Sequence, residues 1–384
     1  MSAPPPQDGT PAAPGAAPAN PVEALLRDKR VLVLCGAGGV GKTTVSAALA
    51  LAAAHSGRRA LVLTIDPARR LAEALGIPAH ASHPTPVPRD RLAAAGVAAG
   101  GELDAWMLDP AVVFENLIHK LASPDSARAI LETRLYRHLT ELVAGMQEYT
   151  AAEALYELSR EERYDLIVLD TPPSPSALDF LDAPGRLSGF LDGQIVQLFL
   201  PSHGGGLLRR AGRLVGSVFA RAFGEQFILD LQTFLSAFSG TFGALRSHTA
   251  GVKELLESAK TAFLLVTSPA EAAVREALYF RDQILARSLP FEGFVLNRSL
   301  ARGRELLHPE TFAAEARVAE ARDALRKLGI FAERERVQGD KDAALLERLA
   351  ALAGPGRFAV AAPHLGDAVD DLPGLLQLAA GLSS

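Results

Sequence analysis

Residues 30–35, RVLVLC, form a nearly continuous aliphatic run, and residues 36–43, GAGGVGKT, follow it at once. An uninterrupted aliphatic run of this length reads as a strand buried on both faces of a parallel sheet. Residues 43–54, rich in Ala, read as a helix, so the glycines lie in a strand-to-helix turn. They fit the pattern G-x-x-x-x-G-K-[ST], in which side chains are excluded so that successive backbone N–H groups can curl around a polyphosphate. In this pattern Gly38, Gly39, Val40 and Gly41 form the cradle. Lys42 brings a point charge to the β- and γ-phosphates, Thr43 offers a hydroxyl to Mg2+, and the helix start adds its partial positive charge. The alternative is a glycine-rich turn without a ligand, which the strand before it and the helix after it make the poorer reading.

The strand-then-helix unit recurs. Aliphatic runs lie at residues 60–65, 164–170, 262–267, 291–297 and 357–361, with a further candidate strand at 103–108. Such alternation predicts an α/β fold, a doubly wound and mainly parallel sheet covered by helices. Two intervals do not alternate. Residues 110–162 carry Phe114, Leu117, Ile118 and Leu121 at helical spacing, and residues 186–258 carry Phe190, Ile195, Leu198, Phe227 and Leu231. They predict an inserted α-helical subdomain built from two pieces. The intervening segment 77–101, rich in Pro, Ala and His, reads as a loop.

These elements make one domain over residues 25–376, between a Pro- and Ala-rich tail at 1–24 and a short C-terminal tail at 377–384. The first 21 residues lack the basic start and apolar run of a signal peptide, and no long uncharged apolar stretch predicts a membrane span. A formal charge of -5 provides no general attraction for polyanions, so nucleic acid is not an expected partner. Cys35 is the sole cysteine, which rules out an internal disulfide or a thiolate-rich zinc site and fits a reducing, cytoplasmic setting.

Two aspartates end predicted strands. Asp170 closes LIVLD and precedes Thr171-Pro172-Pro173, and Asp66 follows LVLTI and begins DPARR. At the C-terminal ends of parallel strands, carboxylates lie on the ligand-binding edge of the sheet, where they can hold Mg2+ directly or through water. Taken singly, either is as readily a helix N-cap. Together with Lys42 they converge on one edge.

The set GGVGKTT at 38–44, TIDPARRL at 64–71, DTPP at 170–173 and LN at 296–297 resembles the arsenical-pump ATPase family. This is a group of dimer-activated P-loop NTPases with a deviant Walker A loop, which includes the ATPases that target tail-anchored membrane proteins. The resemblance extends from about residue 30 to about residue 376. It implies that Lys42, Thr43 and Thr44 bind the phosphates of ATP or ADP and Mg2+. It further implies that Asp66, in a first switch, orients or deprotonates the attacking water, and that Asp170, in a second, senses the γ-phosphate and Mg2+. Asn297 matches the residue that reads the adenine edge, and Pro363 the loop covering the base. Without the resemblance, Asn297 is a strand-end turn residue and Pro363 an ordinary loop proline.

The departures are specific. Relatives carry a lysine at the second position of the loop that reaches the partner's nucleotide, and this chain has Ala37. Where they read DTAPTGH, this chain reads DTPPSPS, with Pro175 and Ser176 in place of Gly-His. The Cys-x-x-Cys clasp and the metalloid-binding cysteines of relatives are missing, which argues against arsenite as the cargo. Among further candidates, His80 and His83 read better as a solvated loop than as a metal pair. Arg209, Arg210, Arg213 and Arg221, interleaved with apolar residues, suit either a basic face towards a membrane or partner, or an ordinary solvated helix.

The expected function is a cytoplasmic ATPase switch, peripheral to the membrane at most. ATP and Mg2+ bind in a homodimer or in a heterodimer with a related ATPase, and hydrolysis to ADP and phosphate is coupled to a hydrophobic protein client or a membrane-associated partner. Two alternatives stay open: a regulatory subunit of low activity, as Ala37 suggests, and a membrane-positioning ATPase. Against the second, the C-terminal sequence DLPGLLQLAAGLSS lacks basic residues.

Overall fold

The computed structural model describes residues 20–65, 70–78, 81–132, 146–171, 242–302, 319–366, 369 and 371–382. At its centre is a sheet of eight strands: β1 Val31–Cys35, β2 Arg59–Thr64, β3 Thr85–Pro86, β4 Glu102–Met107, β5 Leu166–Asp170, β6 Thr261–Thr267, β7 Phe291–Ser299 and β8 Phe358–Pro363. Their order across the sheet is β3-β4-β2-β5-β1-β6-β7-β8. All neighbours are parallel except β3, which pairs antiparallel with β4 at the edge.

The aliphatic runs become central strands because both faces of the sheet are covered, leaving no solvent side on which a polar residue would be favoured. Alternate residues of β1 supply separate cores. Leu32 and Leu34 join one apolar cluster, and Val31, Val33 and Cys35 the other. On the first face lie α1 (Pro21–Asp28), α2 (Lys42–His55), α3 (Arg70–Leu75), α4 (Arg89–Ala94) and, from the far end of the chain, α11 (Leu372–Leu382). Helix α2 is almost entirely buried, its alanines allowing close approach to the strands and to α11. On the second face, α7 (Met146–Arg160), α8 (Phe242–Glu257), α9 (Glu271–Ala286) and the C-terminal end of α10 (Ala319–Ala353) cover the sheet. Helices α5 (Pro110–Leu121) and α6 (Pro124–Leu131) lie beyond, α5 against α7.

Apart from β3, the strands fall within two residues of the ranges read from the sequence. Three expectations need correcting. Segment 77–101 is not simply a loop: it forms β3 and α4, with Val87, Leu92 and Val97 buried, because these three side chains close the edge of the first core. The tail expected at 377–384 is instead the end of α11 as far as Leu382. Leu372, Leu375, Leu378 and Leu382 are buried on one stripe, at a spacing that a helix satisfies. The N-terminal tail expected over 1–24 likewise ends earlier, since α1 begins at Pro21 with Asn20 capping the Val22 N–H at 2.8 Å.

The helical intervals also have different limits from those expected. Leu155 and Leu158 of α7 and Val252 and Leu256 of α8 pack in the second core, so these helices cover the sheet itself. Residues 133–145 and 186–241, which contain most of the expected subdomain, lie outside the described residues. Among the described residues no helix is long and apolar enough to cross a membrane.

Candidate functional site

The turn from β1 to α2 lies between β5 and β6, the two neighbours of β1, at the C-terminal edge where the chain's path across the sheet changes direction. Crevices at such points hold ligands in open α/β sheets. Two glycines are required by close contacts. A Cβ on Gly36 would lie 2.1 Å from the carbonyl oxygen of Val266 in β6. One on Gly41 would lie 2.2 Å from Nδ2 of Asn297, and Gly41 has φ of +89°, the left-handed region that disfavours side chains. The loop therefore sits tightly against the ends of β6 and β7, both on the same side of β1.

Gly41 is the N-cap of α2 and provides no side-chain cap, and the first turn of α2 has no acidic residue. The helix thus starts with N–H groups facing the loop and a positive partial charge that no carboxylate of its own offsets, the arrangement that suits an anion. Lys42 crosses the loop, and its Nζ donates to the carbonyl oxygens of Gly36 and Ala37, each at 3.0 Å. Gly38 and Gly39 are exposed at the tip, Val40 is buried, and Thr43 and Thr44 are half-buried in the first turn of α2.

Asp170 is fully buried at the end of β5. Its Oδ2 accepts hydrogen bonds from Thr43 Oγ1 at 2.5 Å and Thr64 Oγ1 at 2.9 Å. The second contact follows from register, because Thr64 and Asp170 are direct partners in the β2–β5 pairing. Two hydroxyls and a carboxylate from three elements form a set of hard oxygen donors beside the helix start, and that donor chemistry fits Mg2+. Next along the chain, Thr171 Oγ1 donates to the Leu34 carbonyl at 2.7 Å, tying the end of β5 to the end of β1.

Asn297 is buried near the end of β7, and its Nδ2 donates to the Val40 carbonyl at 2.8 Å. The residue therefore supports the phosphate loop directly, a role its sequence position does not reveal. Pro363 ends β8 and packs against Gly381 of α11, where a Cβ would lie 2.6 Å from the proline ring. Cys35 is buried at the end of β1, and burial pushes its thiol up to about 12, so it is an unreactive core residue. The structure thus brings Lys42, Thr43, Asp170 and Asn297 together around residues 36–41. Thr64 belongs to the same cluster, and its only sequence signal is the position directly before the Ile-Asp that closes the second aliphatic run. Asp66, Pro175, Ser176, His80 and Arg209, Arg210, Arg213 and Arg221 lie outside the described residues, and His83 is exposed.

A buried β1, the glycine loop it feeds, the uncapped start of α2 and an aspartate on the neighbouring strand define a P-loop nucleotide-binding domain. The particular family follows from comparison: the sequence model of the anion-transporting ATPases matches residues 29–306, and the chain belongs to that family. An uncharacterised protein of Streptomyces coelicolor is 35% identical over 162 residues, covering 41% of this chain and 38% of that protein. A putative arsenical pump-driving ATPase of Halobacterium salinarum is 30% identical over 182 residues, 47% of this chain and 28% of its own length. An ATPase of Paramecium tetraurelia, named ASNA1 homolog 1, is 27% identical over 266 residues, 69% of this chain and 73% of its own. The chain thus spans well under half the length of the first two relatives, and a larger share of the third.

Proposed function

We propose that this chain is a Mg2+-dependent ATPase that hydrolyses ATP to ADP and phosphate and works as a nucleotide-controlled dimeric switch. The single observation that carries the reading is the joining of Thr43, Thr64 and Asp170 beside the start of α2, next to a loop in which positions 36 and 41 have no room for a side chain. In this reading the N–H groups of residues 38–43 receive the phosphates, and Lys42 leaves the Gly36 and Ala37 carbonyls to meet the β- and γ-oxygens. Thr43 and Asp170 hold Mg2+, which neutralises the charge between those phosphates, and Thr64 fixes the carboxylate. Asp66 orients the attacking water. Asn297 and the Pro363 segment border the adenine, with the Asn297 carbonyl oxygen suited to its amino group. Little covalent chemistry is asked of the protein, so its contribution is positioning and charge.

The switch acts on a hydrophobic protein client or a membrane-associated partner, in the cytoplasm and at most peripherally at the membrane. Family membership, with the resemblance that the sequence motifs carry, supports this direction. Arsenite is not the cargo in this reading, since Cys35 is the only cysteine and is buried. A second reading, a regulatory subunit of low turnover paired with a related ATPase, is favoured by Ala37, which offers no cation to a partner's nucleotide.

Calorimetric titration with ATP and Mg2+ tests the nucleotide site. Lys42→Ala should weaken binding by about 1.5–3 kcal/mol, the worth of a charge-assisted contact, without loss of fold. Unchanged affinity would remove the phosphate-loop reading. Turnover proportional to the square of concentration at low protein would support the dimer, and the two subunit readings separate on whether the purified chain alone turns over.

A further inference from the structure

We infer that Glu153, Glu157 and His248 form a binding site for a first-row divalent cation, Zn2+ foremost, that joins α7 to α8 on the second face of the sheet, apart from the phosphate loop. Glu153 and Glu157 lie one helical turn apart on α7, so their side chains share a face. That face meets His248 of α8, whose Nδ1 is 2.7 Å from Glu153 Oε1 and 3.7 Å from Glu157 Oε1. One donor atom from each of the three residues lies within 4.8 Å of the others.

The cluster is held in place by its surroundings. The Glu153 side chain is 2% exposed and that of His248 14%, so neither can turn into bulk water without repacking. The ring of Tyr156 stands edge-on to the imidazole, with centroids 5.7 Å apart. Gly251 lets the helices approach, since a Cβ there would lie 2.3 Å from the Tyr156 hydroxyl. Lys120 of α5 pairs with Oε2 of Glu157, which leaves Oε1 turned towards His248.

An internal ion pair explains only part of this. His248 can satisfy one carboxylate oxygen, and Glu153 already has its Nδ1. Glu157 Oε1, by contrast, is buried and has no hydrogen-bond partner, and a buried acceptor left so costs about 1–3 kcal/mol. A divalent cation accounts for all three groups together. It replaces the proton on His248 and gives Glu157 Oε1 the partner it lacks, while Lys120 keeps the other oxygen of Glu157. Zn2+ takes imidazole nitrogen and carboxylate oxygen at about 2.0–2.2 Å in a tetrahedron, so its ligands stand about 3.3–3.6 Å apart. The present separations of 2.7 and 3.7 Å from His248 Nδ1 bracket that spacing, and the Glu157 side chain is 24% exposed. A mixed nitrogen and oxygen set without thiolate selects Zn2+ or a neighbouring metal over Mg2+, which demands six oxygens.

The test is calorimetric titration of Zn2+ into the metal-free full chain with Mg2+ in millimolar excess, so that the phosphate-loop aspartate does not compete. One equivalent should bind saturably and raise the melting temperature, and Co2+ bound in its place should show visible d–d absorption. Glu157→Gln, isosteric and partly exposed, should keep the fold by circular dichroism and weaken Zn2+ binding at least tenfold. His248→Gln should do the same and also abolish the Co2+ spectrum. Should His248→Gln fail to fold, Glu157→Gln decides. No saturable binding by the wild type, or binding that persists unchanged in the folded variants, would overturn the site, the latter by showing that the metal sits on other side chains.

Discussion

The sheet carries a buried aspartate near each of its two ends, and the two are held in different ways. Asp170, at the C-terminal end of β5, accepts from the hydroxyls of Thr43 and Thr64. Asp104, early in β4, accepts from the Tyr164 hydroxyl at 2.6 Å and from the Arg163 guanidinium at 2.7 Å. Arg163 also lies over the Tyr164 ring, 5.1 Å from its centroid. Burial, then the Asp104 carboxylate, pushes the Tyr164 hydroxyl far above its usual range, so it remains a donor. At Asp104 a cation and a phenol from the segment entering β5 complete the carboxylate and lock β4 to that entry. At Asp170 the hydroxyls of Thr43 and Thr64 donate next to a helix start, a setting in which a metal ion and phosphate can add their charge. Burial alone does not mark a functional carboxylate; the chemistry of its partners does.

One substitution at both ends should break this symmetry. Asp170→Asn keeps shape while deleting the charge that would hold Mg2+ under the proposed function, a contribution of several kcal/mol to phosphoryl transfer. Turnover measured with saturating ATP and Mg2+ should fall by about 100-fold or more, with little loss of stability. The matched change at the other end, Asp104→Asn, should lower unfolding free energy by about 1–3 kcal/mol in a denaturant titration, because it weakens the Arg163 contact and sets an amide against buried donors. ATP affinity should be unaffected. If Asp104→Asn impaired turnover as much as Asp170→Asn, the division between a ligand-binding end and a structural end would have to be given up.

Much of the fold could be read from the chain because a strand buried on both faces records itself as an aliphatic run, as in VLVLC and LIVLD. The phosphate loop was equally readable, since its glycines and lysine are adjacent in sequence. Contacts made by register were not. Nothing local in Thr64 says that it faces Asp170, 106 residues away, and nothing in Asn297 says that it holds Val40, 257 residues away. Asp104 likewise sits in a strand, ELDAWM, whose sequence gives no hint of Tyr164. The stripe of Leu372, Leu375, Leu378 and Leu382 has helical spacing, a signal that reading residues 377–384 as a tail overlooks.

A smaller effect sharpens the ligand-binding end. Asn297→Ala removes the hydrogen bond to the Val40 carbonyl, leaving that carbonyl without its side-chain donor and the loop less firmly set. ATP affinity should fall by about 0.5–1.5 kcal/mol, up to roughly tenfold. A loss confined to ATP, with pyrophosphate binding unchanged, would assign Asn297 to the base rather than to the loop. Equal losses for both ligands would assign it to the loop.

The smallest expected effect belongs to the structural end. Asp165, just before β5, accepts from the Arg59 backbone N–H at 2.9 Å and from its guanidinium at 2.7 Å, joining the starts of β2 and β5. The Arg59 side-chain hydrogen bond leads in holding the Asp165 carboxyl down to about 2, against an ordinary value of 3.8. A carboxyl lowered on folding adds stability that is fully present above its unfolded value and disappears as pH falls through the folded one. The contribution should therefore be constant above about pH 5 and vanish between about pH 4 and pH 2. Because the side chains are 45% and 37% exposed, water and salt screen the pair, and it contributes about 0–1 kcal/mol rather than the full linkage value. Denaturant unfolding of Asp165→Asn at pH 7 and at the lowest pH where the wild type is still folded should show a small deficit at pH 7 that narrows on acidification and shrinks in molar salt. A deficit that persisted undiminished in acid would mean that the substitution acts through the misplaced amide group, and that charge has no part in joining these two strands.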